Sequence, residues 1–224
     1  MMLILTTEDK VMTKQEIFKT LIDILRPSKT RCAMEFDIPY AERVIFPQVK
    51  AAGLTLLGMG MYSVVVEHKN YPGRAFKVTT SRWDGFRAYA KYCIENAGTK
   101  FLPVIYSANE QGNFGWYEMD KYYPIIKQKN NYDDFVSTKI GDLYSYAHAG
   151  QYATSVNDMR GNSEEIAIAT VAANIMKEFH GRFVPDIHSS NVMMDKDGNV
   201  FITDPLSCDV RREIPITEED PVFY

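Results

Sequence analysis

Cysteine is scarce in this chain: Cys32, Cys93 and Cys208 stand far apart among 224 residues. An odd count, with no C-x-x-C and no Cys/His ligand spacing, excludes a disulfide framework, argues against a zinc site and suits a reducing compartment. Long apolar runs are absent too. None reaches the roughly 18–20 residues of a membrane-spanning helix, and the apolar start, Met1 to Thr6, is too short for a signal peptide. Neither sign of charge dominates, with 25 Lys and Arg against 29 Asp and Glu and a formal net charge of -4. The basic residues are scattered, so neither nucleic acid nor anionic membrane is an expected partner. There is no internal repeat and no low-complexity stretch. What remains is a globular composition, 46% hydrophobic and 24% charged. It suits one medium domain, or two small lobes sharing a cleft, in a soluble, cytosolic protein.

The chain opens with helices. Thr13 and Glu16 form a capping box, and Ile17, Phe18, Leu21, Ile22 and Leu25 follow at helical spacing, with Pro27 as the stop. A second helix is expected from Tyr40 to Ala52, although Pro47 lies inside it. Strands follow at Leu54–Leu57, Tyr62–Glu67 and Arg74–Val78, the last two joined by the Asn70-Tyr71-Pro72-Gly73 turn. A helix from an Asp84 N-cap to about Asn96 precedes strands at Val104–Ser107 and Phe114–Met119, which flank a polar turn, Asn109–Asn113. The second half reads as helix at Tyr132–Ala149 and more strongly at Ser163–Phe179, where Ile168, Val171, Ala172, Ile175 and Phe179 would be buried. A loop, Pro185–Asn191, then leads to a hairpin, Val192–Met194 and Val200–Thr203, turned by Lys196-Asp197-Gly198-Asn199. A mainly β lobe is thus followed by a mainly α lobe, with a hinge-like segment at Glu118–Asp120.

Phosphoryl transfer from ATP asks a protein for a phosphate clamp, oxygen ligands for magnesium, and a carboxylate beside the acceptor hydroxyl. The sequence offers these in order. Asp186 and Asn191 have the spacing D-x-x-x-x-N, in which the Asp takes the acceptor's proton and the Asn amide oxygen is a hard ligand for magnesium. The hairpin returns the chain so that Asp204 can hold the metal from the other side. Upstream, Gly58 and Gly60 in Leu57-Gly58-Met59-Gly60-Met61-Tyr62-Ser63 would let backbone approach phosphates, with Ser63 where a third glycine often stands. Lys77 on the third strand would pair with the α- and β-phosphates. Taken singly, each has a bland reading: loop cap, tight turn, exposed lysine. Their conjunction in this order favours a phosphotransferase. Asp84 and Glu95 are both candidates to hold Lys77, and Glu118 and Met119 could offer backbone groups to adenine, with Tyr117 packing behind. The Asp195-Lys196-Asp197-Gly198 run is read as a hairpin turn rather than a calcium loop.

At these residues the chain resembles the early serine/threonine protein kinases of T7-like bacteriophages. The similarity runs from about Leu54 to Ser207. It is strongest in Leu56-Leu57-Gly58-Met59-Gly60, Pro72-Gly73-Arg74-Ala75-Phe76-Lys77-Val78, Asp186-Ile187-His188-Ser189-Ser190-Asn191-Val192-Met193 and Ile202-Thr203-Asp204-Pro205-Leu206-Ser207. The resemblance implies an α+β, two-lobed, protein-kinase-like fold. Residues 1–53 would be an N-terminal helical extension, 54–120 a β-rich nucleotide-binding lobe and 121–224 a mainly helical catalytic lobe. It also implies ATP and Mg2+ as cofactors, host proteins as substrates and the host bacterial cytoplasm as location.

The chain departs from eukaryotic kinases at several points. Val184 and Pro185 replace the His-Arg that usually precedes the catalytic Asp, and His188 stands where a lysine usually contacts the γ-phosphate. Asp-Pro-Leu replaces Asp-Phe-Gly, and little chain follows Asp204, so regulation through an activation loop is not expected. Asp-Ile-His-x-x-Asn also looks like the loop of aminoglycoside kinases, so a small-molecule acceptor is the alternative. A catalytically inactive binding module is a third reading, disfavoured by the intact Lys77, Asp186, Asn191 and Asp204. Nothing in the sequence sets the oligomeric state.

Overall fold

A computed structural model describes residues 11–26, 40–60, 62–125 and 163–209. Helix α1 spans Lys14–Leu25, and its capping box is complete: the Glu16 N–H donates to Thr13 Oγ1 at 3.2 Å, and the Thr13 N–H donates to the Glu16 carboxylate at 2.8 Å. Two orphan helix-end donors are thereby satisfied. Ile17, Phe18, Leu21 and Leu25 recur on one face and are all buried. The second expected helix divides in two, a π-helical turn at Ala41–Ile45 and then α2 at Phe46–Ala51. Pro47 explains the division. Lacking an N–H, it sits in the first turn of α2, where no intrahelical bond is required of it.

Five antiparallel strands follow: β1 (Thr55–Met59), β2 (Ser63–Glu67), β3 (Arg74–Thr79), β4 (Ile105–Gln111) and β5 (Phe114–Asp120), in the spatial order β1-β2-β3-β5-β4. Helix α3 (Phe86–Glu95) joins β3 to β4. Three expected boundaries move. β1 runs on through Gly58, so that glycine lies in a strand rather than between strands. β4 continues through Asn109, Glu110 and Gln111, which pair with Trp116, Gly115 and Phe114; the turn shrinks to Gly112-Asn113. Cross-strand pairing outweighs the polar composition of that stretch. The N-cap position of α3 is Gly85, although Asp84 Oδ1 still accepts the Phe86 N–H at 3.0 Å.

Strand parity gives the sheet two distinct faces. Phe76 and Val78 point to one face, where they bury with Val64 and Val66 against Ile17, Leu21 and Leu25 of α1 and Val49 of α2. The N-terminal helices therefore cover the outer face of the β lobe. Ala75, Tyr117 and Met119 point to the other face, into a core shared with Phe86 and Tyr89 of α3 and with the second lobe.

Among the described residues the second lobe contains β6 (Tyr123–Pro124), α4 (Ser163–Glu178), β7 (Phe183–Pro185), β8 (Val192–Met194), β9 (Val200–Ile202) and β10 (Leu206–Asp209). Ile168, Ala172 and Ile175 of α4 are fully buried and Phe179 just beyond it nearly so, while Val171 lies at the edge of this core. β6, β8 and β9 form one small sheet, and β7 pairs with β10 in another. The β8–β9 turn is tied by Asp195, whose Oδ1 accepts the N–H groups of Asp197 and Asn199, both at 2.9 Å. That carboxylate serves the turn, as the hairpin reading requires. The expected helix at Tyr132–Ala149 lies outside the described residues. A five-stranded sheet with a helix between its third and fourth strands, followed by a helix, a catalytic-type loop and a hairpin, is an α+β, two-lobed, protein-kinase-like fold. No helix among the described residues is long and apolar enough to cross a membrane.

Candidate active site

Sequence distance collapses at Lys77 and Asp204. Lys77 Nζ lies 2.6 Å from Asp204 Oδ2, bridging the β lobe and the segment that follows β9. The lysine is nearly buried, 5% exposed, and its ammonium also lies over the Phe86 ring, 3.6 Å from the centroid. Ionising groups this secluded persist only when paired.

The second carboxylate beside Lys77 is Asp84. Its side chain is buried, and desolvation pushes its pKa from 3.8 to about 7, with Lys77 pulling it down and Asp204 raising it. This decides between the two candidates from sequence. Glu95 is exposed at the far end of α3. There it joins Arg82, Arg87, Lys91 and Arg182 in lining a cavity of about 370 Å³ between α3 and the end of α4. Asp84 also lines that cavity.

Asp186, Asn191 and Asp204 are assembled largely by backbone. β7 and β10 pair on either side of the cluster, and the Asp186 N–H donates to Pro205 O at 2.7 Å. The Thr203 N–H and hydroxyl both donate to Asn191 O, at 2.8 and 3.0 Å, which fixes the end of the hairpin against the loop. The Asn191 amide NH2 donates to Asp186 O at 2.6 Å and lies 3.3 Å from Asp186 Oδ2. Its nitrogen end is committed, leaving Oδ1 as the end able to meet a cation. Burial raises the Asp186 pKa, opposed by His188 and the Asn191 hydrogen bond, while Asp204 adds to the rise.

His188 is folded back onto its own loop. Nδ1 accepts the Ser190 N–H at 3.2 Å, while Nε2 lies 3.0 Å from the Asn191 amide nitrogen and 3.5 Å from Asp186 Oδ1. The ring thus sits against both Asn191 and Asp186.

The glycine-rich segment closes as a tight hairpin end, with the Gly60 N–H donating to Ser63 O at 2.8 Å. Gly58, Val65, Lys77 and Tyr117 pair successively across β1, β2, β3 and β5, in one row on the cleft face. A Cβ on Gly58 would meet nothing within 4 Å, so open space lies beside the Lys77 row. Ser63, opposite Thr79, is buried.

The expected adenine contacts divide by parity. Met119 is on the cleft face, buried opposite Ala75. Glu118 points the other way: its carboxylate meets Lys14 Nζ of α1 at 2.7 and 2.9 Å, with Arg74 at 3.9 Å. Both residues sit inside β5, paired to β3 on one side and β4 on the other. The ladder therefore competes for the backbone groups that adenine would need. Sequence reasoning missed Thr203, whose signal was a β-branched hydroxyl directly before Asp204.

The cluster leaves one carboxylate oxygen unsatisfied. Asp204 Oδ1 is shielded from solvent and has no hydrogen-bond partner among the described residues, an orphaned oxygen of the kind a hard cation satisfies. No group of three His, Cys, Asp or Glu among the described residues could hold a metal by itself. Magnesium commonly takes one or two carboxylates and completes its shell with phosphate oxygens and water.

The family model described as bacteriophage T7 protein kinase 0.7 matches residues 43–222. No curated protein sequence matches. Among solved structures, aminoglycoside phosphotransferase APH(4)-Ia aligns at 12% identity and a TM-score of 0.34, over 75% of this chain and 71% of that one. A thermostable mutant of that enzyme, in ternary complex with AMP-PNP and hygromycin B, aligns at 12% identity and 0.36, over 68% and 66%. Scores this low decide nothing about the acceptor.

Proposed function

The chain belongs to the bacteriophage T7 protein kinase family, and from that premise we propose that it is an ATP- and magnesium-dependent serine/threonine protein kinase acting on host proteins during infection. One observation carries the reading: Lys77 and Asp204 meet at 2.6 Å on the face of the sheet that Gly58 leaves open, beside Asp186 and Asn191.

Lys77 holds the non-transferred phosphates and is itself paired with Asp204. Asp204 Oδ1 and Asn191 Oδ1 are the oxygens that would hold magnesium. When bound, that ion supplies neutralisation of charge on the phosphoryl group in transfer. Asp186 orients the acceptor hydroxyl and takes its proton, and its raised pKa suits a group that must accept one. The Asn191 amide NH2, 2.6 Å from Asp186 O and 3.3 Å from Asp186 Oδ2, aims that carboxylate. Most of the chain's contribution is positioning and electrostatics, which is what phosphoryl transfer demands.

The test is incubation of the purified chain with γ-labelled ATP, magnesium and bacterial lysate. Label is expected on serine and threonine of lysate proteins. Label confined to small metabolites would overturn the protein-acceptor reading and favour a small-molecule phosphotransferase, for which the histidine in Asp-Ile-His is the pointer.

A further inference from the structure

Helix α3 touches the Asp204 segment at two points, one on each side of Asp204. Before it, the Tyr89 hydroxyl donates to Ile202 O at 2.6 Å in a fully buried contact. After it, the Gly85 N–H donates to Ser207 O at 2.7 Å, and Asp84 bridges to Cys208 in antiparallel register. Residues 85 and 89 are four apart and therefore share one helix face. A single face of α3 clasps residues 202–207 with Asp204 between the grips. A third bond, Ile202 N–H to Phe101 O at 2.8 Å, adds the chain that follows α3.

The composition of the clasp is specific. Gly85 has φ −61, a conformation open to any residue, so flexibility is not the reason for glycine there. Space is. A Cβ at that position would lie 2.6 Å from Leu206 Cβ and 2.8 Å from Leu206 O. Helix and strand meet at a distance that no side chain allows. Tyr89 is equally committed, since burial holds its phenol well above the ordinary range and hence protonated as a donor.

We propose that Gly85 and Tyr89 are positioning residues for Asp204, fastening α3 and residues 202–207 into one unit that sets the Lys77–Asp204 geometry. In protein kinases the placement of the corresponding helix is a point of control. Here the helix is tied to the metal-binding segment itself, so the site is assembled without an inward swing. Transfer is steep in position: a displacement of about 1 Å can cost of order a hundredfold in rate. The consequence for transfer rests on the kinase reading, whereas the fastening does not.

The experiment pairs hydrogen exchange with kinetics on the full chain. Tyr89→Phe keeps the ring and leaves Ile202 O without its donor; Gly85→Ala forces the seam apart. In either variant, amides of residues 84–95 and 199–208 should gain exchange together, by about tenfold. With ATP, kcat should fall at least about tenfold and half-saturating magnesium should rise severalfold. KM for ATP should stay within roughly twofold of the parent. Leu21→Val, on the opposite face of the sheet, is the control: it should lower overall stability without linking the two segments or moving the magnesium dependence. Loosening of one segment alone, or an unchanged magnesium dependence in an active parent, would overturn the inference. Linked exchange in a parent that transfers no phosphate would support the clasp and sink the kinase reading, so the two failures are distinguishable.

Discussion

Replacing Asp84 with asparagine tests the electrostatics of the cleft more directly than any loss of activity. In the unfolded chain this carboxyl ionises near 3.8; in the folded protein it keeps its proton to about pH 7. Between those values the folded state holds a proton that the unfolded state has released. The residue's contribution to stability is therefore complete below about pH 4 and is lost as pH rises to about 7. A difference of about three pKa units, at about 1.4 kcal/mol each, makes the loss roughly 4 kcal/mol. Asn cannot ionise, yet its amide oxygen can still accept the Phe86 N–H now received at 3.0 Å. Urea unfolding of parent and Asp84→Asn from pH 4 to pH 8 isolates this one group, because other titrations largely cancel in the difference. The two proteins should differ by no more than about 1 kcal/mol at the acid end. The variant should gain steadily as pH rises and end as the more stable protein. A difference that stays flat, or moves toward the parent with rising pH, would refute the buried, destabilised carboxylate.

The other predictions concern single side chains. Lys77→Met should cut kcat/KM by at least about a hundredfold while circular dichroism stays unchanged, since a long apolar chain can still cover Phe86; an unaltered rate would return the lysine to a structural role. Asp186→Asn should lower kcat by about 10²–10⁴ with nucleotide binding retained, measured by titration with AMP-PNP, and weakened binding instead would place the carboxylate on the nucleotide. Leu21→Ala, in a fully buried position on α1, should cost about 2–5 kcal/mol in urea unfolding, and a cost under about 1 kcal/mol would show that α1 is dispensable.

Much of the site was legible because its sequence signals are local. Asp186 and Asn191 are five apart, and the β8–β9 hairpin brings Asp204 back by a turn readable from Asp-Gly-Asn. Lys77 followed from its strand and from the glycines before it. What could not be read was contact across the fold. Asp84 and Glu95 bracket one helix and differ in burial, which depends on β10 lying across the N-terminal end of α3. The direction of the Glu118 side chain, toward Lys14 of α1, is another contact of this kind. Two residues in succession cannot both face a cleft from one strand, and Met119 holds that face. The extension of β4 through Asn109–Gln111 is a case where tertiary pairing overrode composition.

The family match begins at residue 43, whereas α1 ends at Leu25. The cleft nevertheless depends on α1 through the parity of β3. Lys77 can face the phosphates only if its neighbours Phe76 and Val78 face outward, and both are fully buried there because α1 and α2 cover them. Ile17, Leu21 and Leu25 are each fully buried in that layer. At about 1.5–3 kcal/mol per large aliphatic side chain, these three contribute an amount comparable to a whole domain's net stability of about 5–15 kcal/mol. The Lys14–Glu118 pair adds an anchor to β5, on the side of the sheet opposite the site. The N-terminal helix thus acts on the cleft through the sheet: it keeps the outward half of β3 dry, and that allows the inward half to present one buried lysine to two carboxylates.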